Sequence, residues 1–327
     1  MDKIISIITP SFNSSKYIEK TICSVKEQNY LNFEYIVIDG KSSDSTCEII
    51  RKYEDHIIYW ESMPDNGQSH AINKGLKKVN GNIINWLNAD DYYNENALEI
   101  VNSQFDRLDV LCVAGKSRLF DENGTIKYSN GTDIYPGNLA KTIGWARVDQ
   151  PETFFRKEAW KKIGLLNEQL HYTMDREWWM RYLYIFGLDG IKRINDVLVN
   201  FRIHGASKTT SQNEKFQIEH DSLFYLLSLN SSNSIFSKTI EKECTIDKML
   251  QSEISNWNNT ELINQVLNYY CLKKADELYY QYEKKKAQSF LACIDHELLD
   301  DEGRKLFNKL SFRLKLPSKI IQIFRNK

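Results

Sequence analysis

A chain of 327 residues with a formal net charge of −1 can bury a full core without a metal or disulfide staple, and its near-neutral charge makes no long-range appeal to nucleic acid. Six cysteines, at 23, 47, 112, 244, 271 and 293, show no CxxC spacing, which points to reduced thiols and a cytoplasmic chain. No stretch approaches about 18 uninterrupted apolar residues, and the apolar run after Met1 is too short for a signal peptide, so neither a membrane-spanning helix nor a leader is expected.

Ile4 to Thr9 reads as a buried strand stopped by the turn cluster Pro10-Ser11-Phe12-Asn13. A helix follows, with Ser14 or Ser15 as its cap and Ile18, Ile22 and Val25 on one face. Tyr35 to Ile38 is a second strand; the polar loop Asp39-Gly40-Lys41-Ser42-Ser43-Asp44 leads into a helix carrying Ile49, Ile50 and Tyr53, with Asp44 its expected cap. Ile57 to Trp60 supplies a third strand, Pro64-Asp65-Asn66-Gly67-Gln68 a turn, Ser69 to Val79 a helix and Ile83 to Leu87 a fourth strand. This alternation predicts the α/β class, with a mainly parallel sheet whose ligands bind outside the carboxyl ends of the strands. The polar clusters at 9–13, 39–44 and 88–91 all follow such ends and should share one rim.

The last of these, Asn88-Ala89-Asp90-Asp91, sets two adjacent carboxylates at the end of a buried strand. Hard oxygen ligands in that place suit a divalent cation and a phosphate held by it. Asn and Asp are equally ordinary turn and cap residues, and a helix begins nearby at Asn94-Glu95-Asn96-Ala97.

From Asp109 the pattern changes. Val110 to Ala114 reads as a strand, Asp121-Glu122-Asn123-Gly124 as a hairpin turn, and Pro136 to Ile143 as a loop. Thr153 to Arg156 reads as a short strand, followed by a helix through Trp160 that Gly164 ends. A second helix runs from Met174 to Leu183 and closes near Gly187, and Val197 to Ile203 is a strand that delivers His204. Beyond residue 212 only helical patterns remain, at 216–229, 240–257 and 262–282. The expected organisation is therefore an α/β domain over 1–212 and a helical region over 213–327. Residues 304–327 hold eight Lys or Arg and no acid, interleaved with Leu, Ile and Phe. Such a segment fits either a helix packed on the protein or peripheral contact with an anionic membrane, at its cytoplasmic face.

Taken in order, Ile8-Thr9-Pro10-Ser11-Phe12-Asn13, Ile38-Asp39-Gly40, Pro64-Asp65-Asn66-Gly67-Gln68 with Asn73-Lys74-Gly75, and Trp86-Leu87-Asn88-Ala89-Asp90-Asp91 closely resemble the conserved blocks of family 2 glycosyltransferases. Thr153-Phe154-Phe155-Arg156, Met174-Asp175-Arg176-Glu177-Trp178-Trp179 and Arg202-Ile203-His204 resemble that family's acceptor-side blocks, so the likeness covers residues 1 to about 208. It implies a glycosyltransferase A-type fold: a nucleotide-binding sheet fused to an acceptor-binding half, here with a helical carboxyl-terminal extension. It also implies inverting transfer from a nucleoside diphosphate sugar, expected to be UDP-linked, to a hydroxyl of a glycan or lipid-linked acceptor such as a cell-envelope polysaccharide precursor, with Mn²⁺ or Mg²⁺ as cofactor.

The resemblance also implies roles. Asp90 would be the direct metal ligand, with Asp91 the alternative ligand or a helix cap; Asn88 stands where the family often has Asp, and would reach a ribose hydroxyl or a metal-bound water. Thr9 and Phe12 would line the base pocket, through the Thr9 backbone and the Phe12 ring, and Asp39 would accept from uracil N3. Asp65 would lie by the ribose and phosphates, with Gly67 allowing close approach. His204 would serve the metal or diphosphate. Asp175 would be the base that deprotonates the acceptor, Glu177 the second candidate, and Trp178 or Trp179 would stack on a sugar or fill the core. Two rival classes are a sugar nucleotidyltransferase, which should show a Gly-rich phosphate loop after the first strand, and a non-catalytic nucleotide-sugar binder, for which Asn88 is the best support.

Overall fold

The structure, a computed structural model, describes residues 3–205 and 212–317. The chain divides into two compact units, Met1–Ile134 with Arg147–Asn213 and Tyr135–Ala146 with Glu214–Lys327.

The first unit is built on a nine-stranded sheet of mixed direction. Strands β1 (Ile5–Ser11), β2 (Phe33–Asp39), β3 (Tyr59–Ser62) and β4 (Ile83–Trp86) run parallel in the order β3-β2-β1-β4. Every residue of β1 is buried, as expected of a parallel strand covered on both faces. On one face Ile5, Ile7, Tyr35 and Val37 pack with Ile18, Ile22 and Val25 of helix α1 (Ile18–Lys26). Helix α2 (Thr46–Lys52) adds Ile50 to the same core. On the other face lies helix α3 (Gln68–Leu76), so close to β1 that a Cβ on Gly75 would come within 2.5 Å of Ile8 Cγ2. Only glycine permits that approach.

Short strand β5 (Tyr92–Tyr93) and helix α4 (Ala97–Gln104) follow β4. Long strand β6 (Cys112–Asp121) turns through the expected hairpin into β7 (Ile126–Tyr128). The segment read as a loop at 136–143 is instead helix α5 (Leu139–Trp145), clustered with the second unit; Asn138 caps it by accepting from Lys141 N. The sequence signal for this helix is only the cap after Gly137, because two turns are too short to show a period. Strand β8 (Thr153–Arg156) lies antiparallel between β4 and β6, helix α6 (Lys157–Ile163) ends at Gly164, and helix α7 (Met174–Phe186) ends at Gly187. Strand β9 (Ile191–Ile203) is twice the expected length; it runs parallel to β6 and pairs with β5.

The second unit is helical: α5, α8 (Asn213–Ser228), α9 (Ile235–Glu243), α10 (Thr260–Tyr280), α11 (Lys284–Leu291) and α12 (Asp301–Lys315). The helix expected over 240–257 breaks at Cys244, whose backbone is extended, and only a short 3-10 turn at Glu253–Asn256 remains beyond it. All six cysteines are free thiols. No helix among the described residues is long and apolar enough to cross a membrane. The basic tail beyond Pro317, with Lys319, Arg325 and Lys327, lies outside the described residues, as do Ser207 and Lys208.

Candidate active site

The carboxyl ends of β1, β2 and β4 bring the three polar clusters to one rim. Gly40 N donates to Ser11 O at 2.8 Å, Asn13 N donates to Ser42 Oγ at 2.7 Å, and Ser43 N donates to Asn13 Oδ1 at 2.9 Å, so the first two loops are sewn together. Asp39 is fully buried at the end of β2, where Ser42 N (2.8 Å), Ser42 Oγ (2.5 Å) and Ser62 Oγ (2.7 Å) donate to its carboxylate. Ser11 Oγ at 3.3 Å and Cys47 Sγ at 3.4 Å complete five donors that fix this oxygen pair at the rim. Phe12, 65% exposed, presents its ring to solvent just past β1.

Thr9 does not reach this rim. Its Oγ1 accepts from buried Tyr35 OH at 3.0 Å. Because Ile8 O accepts from Leu87 N of the β4 side and Ser11 O from Gly40 N of the β2 side, strand alternation turns the Thr9 backbone toward β2. Thr9 is thus held in the ladder and the core, and its place in the base pocket rests on the resemblance alone.

Asp65 is half-buried over the β2 loop: a Cβ on Gly40 would lie 2.7 Å from Asp65 Oδ2. Its other oxygen accepts from Gly67 N at 2.8 Å, and Gly67, with φ 108°, opens α3 in a conformation that L side chains rarely adopt. Asp44 accepts from Thr46 N at 3.0 Å and from Ser15 N at 3.1 Å, tying α2 to the start of α1. Lys41 is exposed.

The acidic stop separates into three functions. Asp90 keeps a partly exposed carboxylate, whose Oδ2 lies 3.0 Å from His204 Nε2. Asp91 is turned inward, 1% exposed, and accepts from Arg202 N at 2.9 Å, so it anchors the end of β9. Desolvation, then the charge of Asp90, pushes the Asp91 carboxyl well above the usual range. This carboxyl, buried and accepting from a backbone N–H, anchors β9, and Asp90 is the more exposed of the two candidate ligands. Asn88 accepts from Gln68 Nε2 at 2.7 Å through Oδ1, and its Nδ2 lies 3.4 Å from Asp91 Oδ2. Both ends of this amide are occupied within the protein.

Arg202 Nε donates to Asp90 O at 3.2 Å, and the guanidinium lies 4.7 Å from the Tyr17 ring and 4.6 Å from the Phe120 ring. Tyr17 also contacts the His204 ring, with centroids 4.9 Å apart. The Asp90 and His204 pair is thus braced by Arg202 of β9, itself held between Tyr17 before α1 and Phe120 of β6.

On α7 the two candidate bases diverge. Asp175, in the first turn, is partly exposed and accepts from Arg176 N at 2.8 Å. Burial raises its carboxyl above the ordinary value; the Arg176 charge opposes the rise and the Asp149 charge adds to it. Glu177, two positions on, is 1% exposed and paired with Arg181 Nη2 at 2.9 Å, while Arg181 also donates to Ile163 O and Leu165 O. Two residues turn a helix by about 200°, which carries Glu177 to the inner face. There it forms a buried ion pair with Arg181. Trp178 and Trp179 are core residues: both are buried, Trp178 lies 4.7 Å from Phe155 and 4.1 Å from Trp160 by ring centroids, and its Nε1 donates to Gly164 O.

Two acids escaped the sequence reading. Asp149 is partly exposed and pairs with Arg147 at 3.8 Å, and buried Glu152 accepts from Ser117 Oγ and from Ser129 Oγ. Burial, then the charge of Asp149, pushes Glu152 up to about 8. Their signal was only Asp149-Gln150-Pro151-Glu152 before β8.

Among the described residues no three His, Cys, Asp or Glu side chains converge to hold a metal ion. The carboxylate of Asp90 and the imidazole of His204 nonetheless fit one: Mg²⁺ and Mn²⁺ are commonly held by one or two protein ligands, with phosphate oxygens and water filling the octahedron.

Residues 6–164 match the family described as glycosyl transferase family 2. The chain carries a family 2 glycosyltransferase domain. An uncharacterized glycosyltransferase of Rickettsia typhi is 28% identical over 250 residues, covering 72% of this chain and 75% of that protein. Among solved structures, S. aureus TarS 1-349 in complex with UDP-GlcNAc superposes with a TM-score of 0.58 at 18% identity, over 98% of this chain and 89% of that one. The mannosyltransferase PcManGT of Pyrobaculum calidifontis, in complex with GDP-Man and Mn²⁺, gives 0.52 at 15% identity, over 98% and 83%. The fold of this glycosyltransferase is therefore of the A type foreseen from its blocks, and a nucleotidyltransferase is set aside.

Proposed function

We propose that the enzyme transfers a sugar from a nucleoside diphosphate sugar, UDP-linked, to a hydroxyl of a glycan or lipid-linked acceptor, with inversion and with a divalent cation at Asp90 and His204. The observation that carries this reading is the Asp90 to His204 pair, 3.0 Å apart, on the rim where β1, β2 and β4 end. Asp39 stands at the end of β2 on this rim with its carboxylate fixed by Ser42 and Ser62, where its charge suits the imide N–H of a pyrimidine, and exposed Phe12 suits its face. Asp65 and Gly67 border the same rim beside the ribose. The likeness to enzymes solved with UDP-GlcNAc and with GDP-Man and Mn²⁺ supports the donor class and the metal.

A Mn²⁺ or Mg²⁺ ion, when bound, supplies Lewis-acid stabilisation of the departing diphosphate. Asp175 takes the proton of the acceptor hydroxyl as that oxygen bonds the anomeric carbon; the bond from that carbon to the diphosphate breaks on the opposite side, which inverts the centre. A carboxyl raised above its ordinary value is a better proton acceptor than an unperturbed one, and Asp175 is raised. A lipid-linked acceptor would be presented to such an enzyme at the cytoplasmic face of a membrane.

The test is a thermal-shift panel of nucleoside diphosphate sugars with and without Mn²⁺, followed by the anomeric configuration of the product by NMR. Stabilisation by a UDP-sugar only with Mn²⁺, and an inverted product, support the reading; retention of configuration or metal-independent binding overturns it. A second reading, a binder without turnover, is favoured by the Asn88 amide being occupied by Gln68 and Asp91. Donor binding with no product in single-turnover conditions, across a panel of acceptors, would establish it.

A further inference from the structure

We propose that the solvent face of α12 is a docking surface for an anionic phospholipid bilayer. Helix α12 spans 15 residues, about 22 Å. Asp300 caps its start by accepting from Gly303 N at 2.7 Å, with Asp301 and Glu302 in the first turn. Gly303, Leu310 and Leu314 are buried and define its inner face. At about 100° per residue, Lys305, Asn308, Lys309, Phe312 and Lys315 form a stripe about 120° wide on the opposite face, whose only acid, Asp301 in the first turn, is paired with Arg304. Phe312 stands in the middle of that stripe and is 63% exposed.

The cations of this helix fall into two kinds. Arg304 donates to Leu299 O and pairs with Asp301 at 2.7 Å, and Arg313 lies over the Tyr279 ring at 5.7 Å, so both serve the fold. Lys305, Lys309 and Lys315 form no ion pair among the described residues, although Asp276 is near enough to feel the charge of Lys309. Complementing the helix dipole accounts for Lys315 in the last turn but not for Lys305 or Lys309 further back.

A large aromatic ring set among unpaired lysines is the composition of a helix that lies in a bilayer interface, the ring entering the acyl boundary and the ammonium groups meeting lipid phosphates. The chain's charge is segregated to match. Residues 304–327 carry +8, so with −1 over the whole chain residues 1–303 carry −9. An anionic surface therefore attracts this segment and not the rest of the chain. The inference stands apart from the choice of donor.

The experiment is sedimentation of the full chain with vesicles of phosphatidylcholine alone or with about 30% phosphatidylglycerol, at low and high salt. Binding is expected only to the anionic vesicles and to fall with salt. The triple variant Lys305→Gln, Lys309→Gln, Lys315→Gln should weaken it on the order of 100-fold, at about fivefold per lysine. Phe312→Ser should weaken it roughly 10-fold. All these positions are exposed, and an unchanged melting temperature confirms that the variants fold. Equal binding to neutral vesicles, or variants that partition like the wild type, overturns the proposal. So does binding of single-stranded nucleic acid as tight as that of vesicles and indifferent to Phe312→Ser, which would mark a general polyanion site.

Discussion

His204 Nε2 lies 3.0 Å from Asp90 Oδ2, although the two residues are 114 positions apart in the chain. The contact exists because Asp91, next to Asp90, accepts from the backbone of Arg202 and so fixes the end of β9 two residues before His204. Asp90→Ala is expected to abolish the Mn²⁺-dependent thermal shift with UDP and to lower kcat/KM by roughly 1,000-fold, as loss of an electrostatic contact at a leaving group does. His204→Ala should cost about 10- to 100-fold in the Mn²⁺ concentration needed for half-activation. Full activity of Asp90→Ala in a direct assay would remove the metal from the scheme.

Asp175 and Glu177 share one turn of α7 but face different surroundings. Asp175→Asn should keep donor binding within about threefold while transfer falls by 100- to 10,000-fold, the range of one general base. Glu177→Gln leaves Arg181 buried with its charge uncompensated, and should cost about 3 kcal/mol of stability with little change in kcat of the folded enzyme. Denaturant melts and initial rates on both variants separate the two roles. The reverse pattern would exchange them.

How much of this was legible follows from the range of each interaction. The four parallel strands and the shared rim at 11, 39 and 88 came from local periodicity and turn residues, which act over a few positions. The inward turn of Asp91 and the Asn88 amide bridge did not, because both depend on β9 and α3, far away in sequence. Glu177 was separable from Asp175 by helical geometry alone, yet its partner Arg181 had to be seen before the reason was complete. Asp149 and Glu152 were missed because a carboxylate before a short strand looks like any polar loop; only burial against Ser117 and Ser129 distinguishes Glu152. Helix α5 was missed because the residues that stabilise it are in α10, where Tyr269 meets Gly144 closely enough to exclude a Cβ.

The pH profile offers a test of the base that does not remove it. As the proposed base, Asp175 must lose its proton to act, so activity should fall as pH drops through a value above that of an ordinary aspartate. The Asp149 charge opposes ionisation of Asp175 and the Arg176 charge favours it. Asp149→Asn should therefore move the acidic limb of kcat/KM to lower pH, and Arg176→Gln should move it to higher pH. Limbs that stay in place in both variants would point to another group as the base.

Restoring the family's acid at position 88 should not give a better enzyme. In Asn88→Asp the bond from Gln68 Nε2 survives, but a negative oxygen replaces the amide nitrogen now 3.4 Å from Asp91 Oδ2. Asp91 is already pushed well above the usual range by desolvation and by Asp90. A further carboxylate beside it pushes Asp91 higher still. Groups whose folded-state pKa is raised add stability at low pH and lose it as pH rises through the folded value. The variant should thus approach the wild type as pH falls and be less stable at pH 8 by on the order of 1–3 kcal/mol, a cost of one to two units of pKa. Mn²⁺ with UDP should recover part of that loss, since a cation screens the added charge. Melting curves from pH 4 to pH 8, with and without Mn²⁺ and UDP, check the prediction. A variant that is more stable than the wild type at pH 8 without the cation would mean that the amide at Asn88 is not what relieves Asp91.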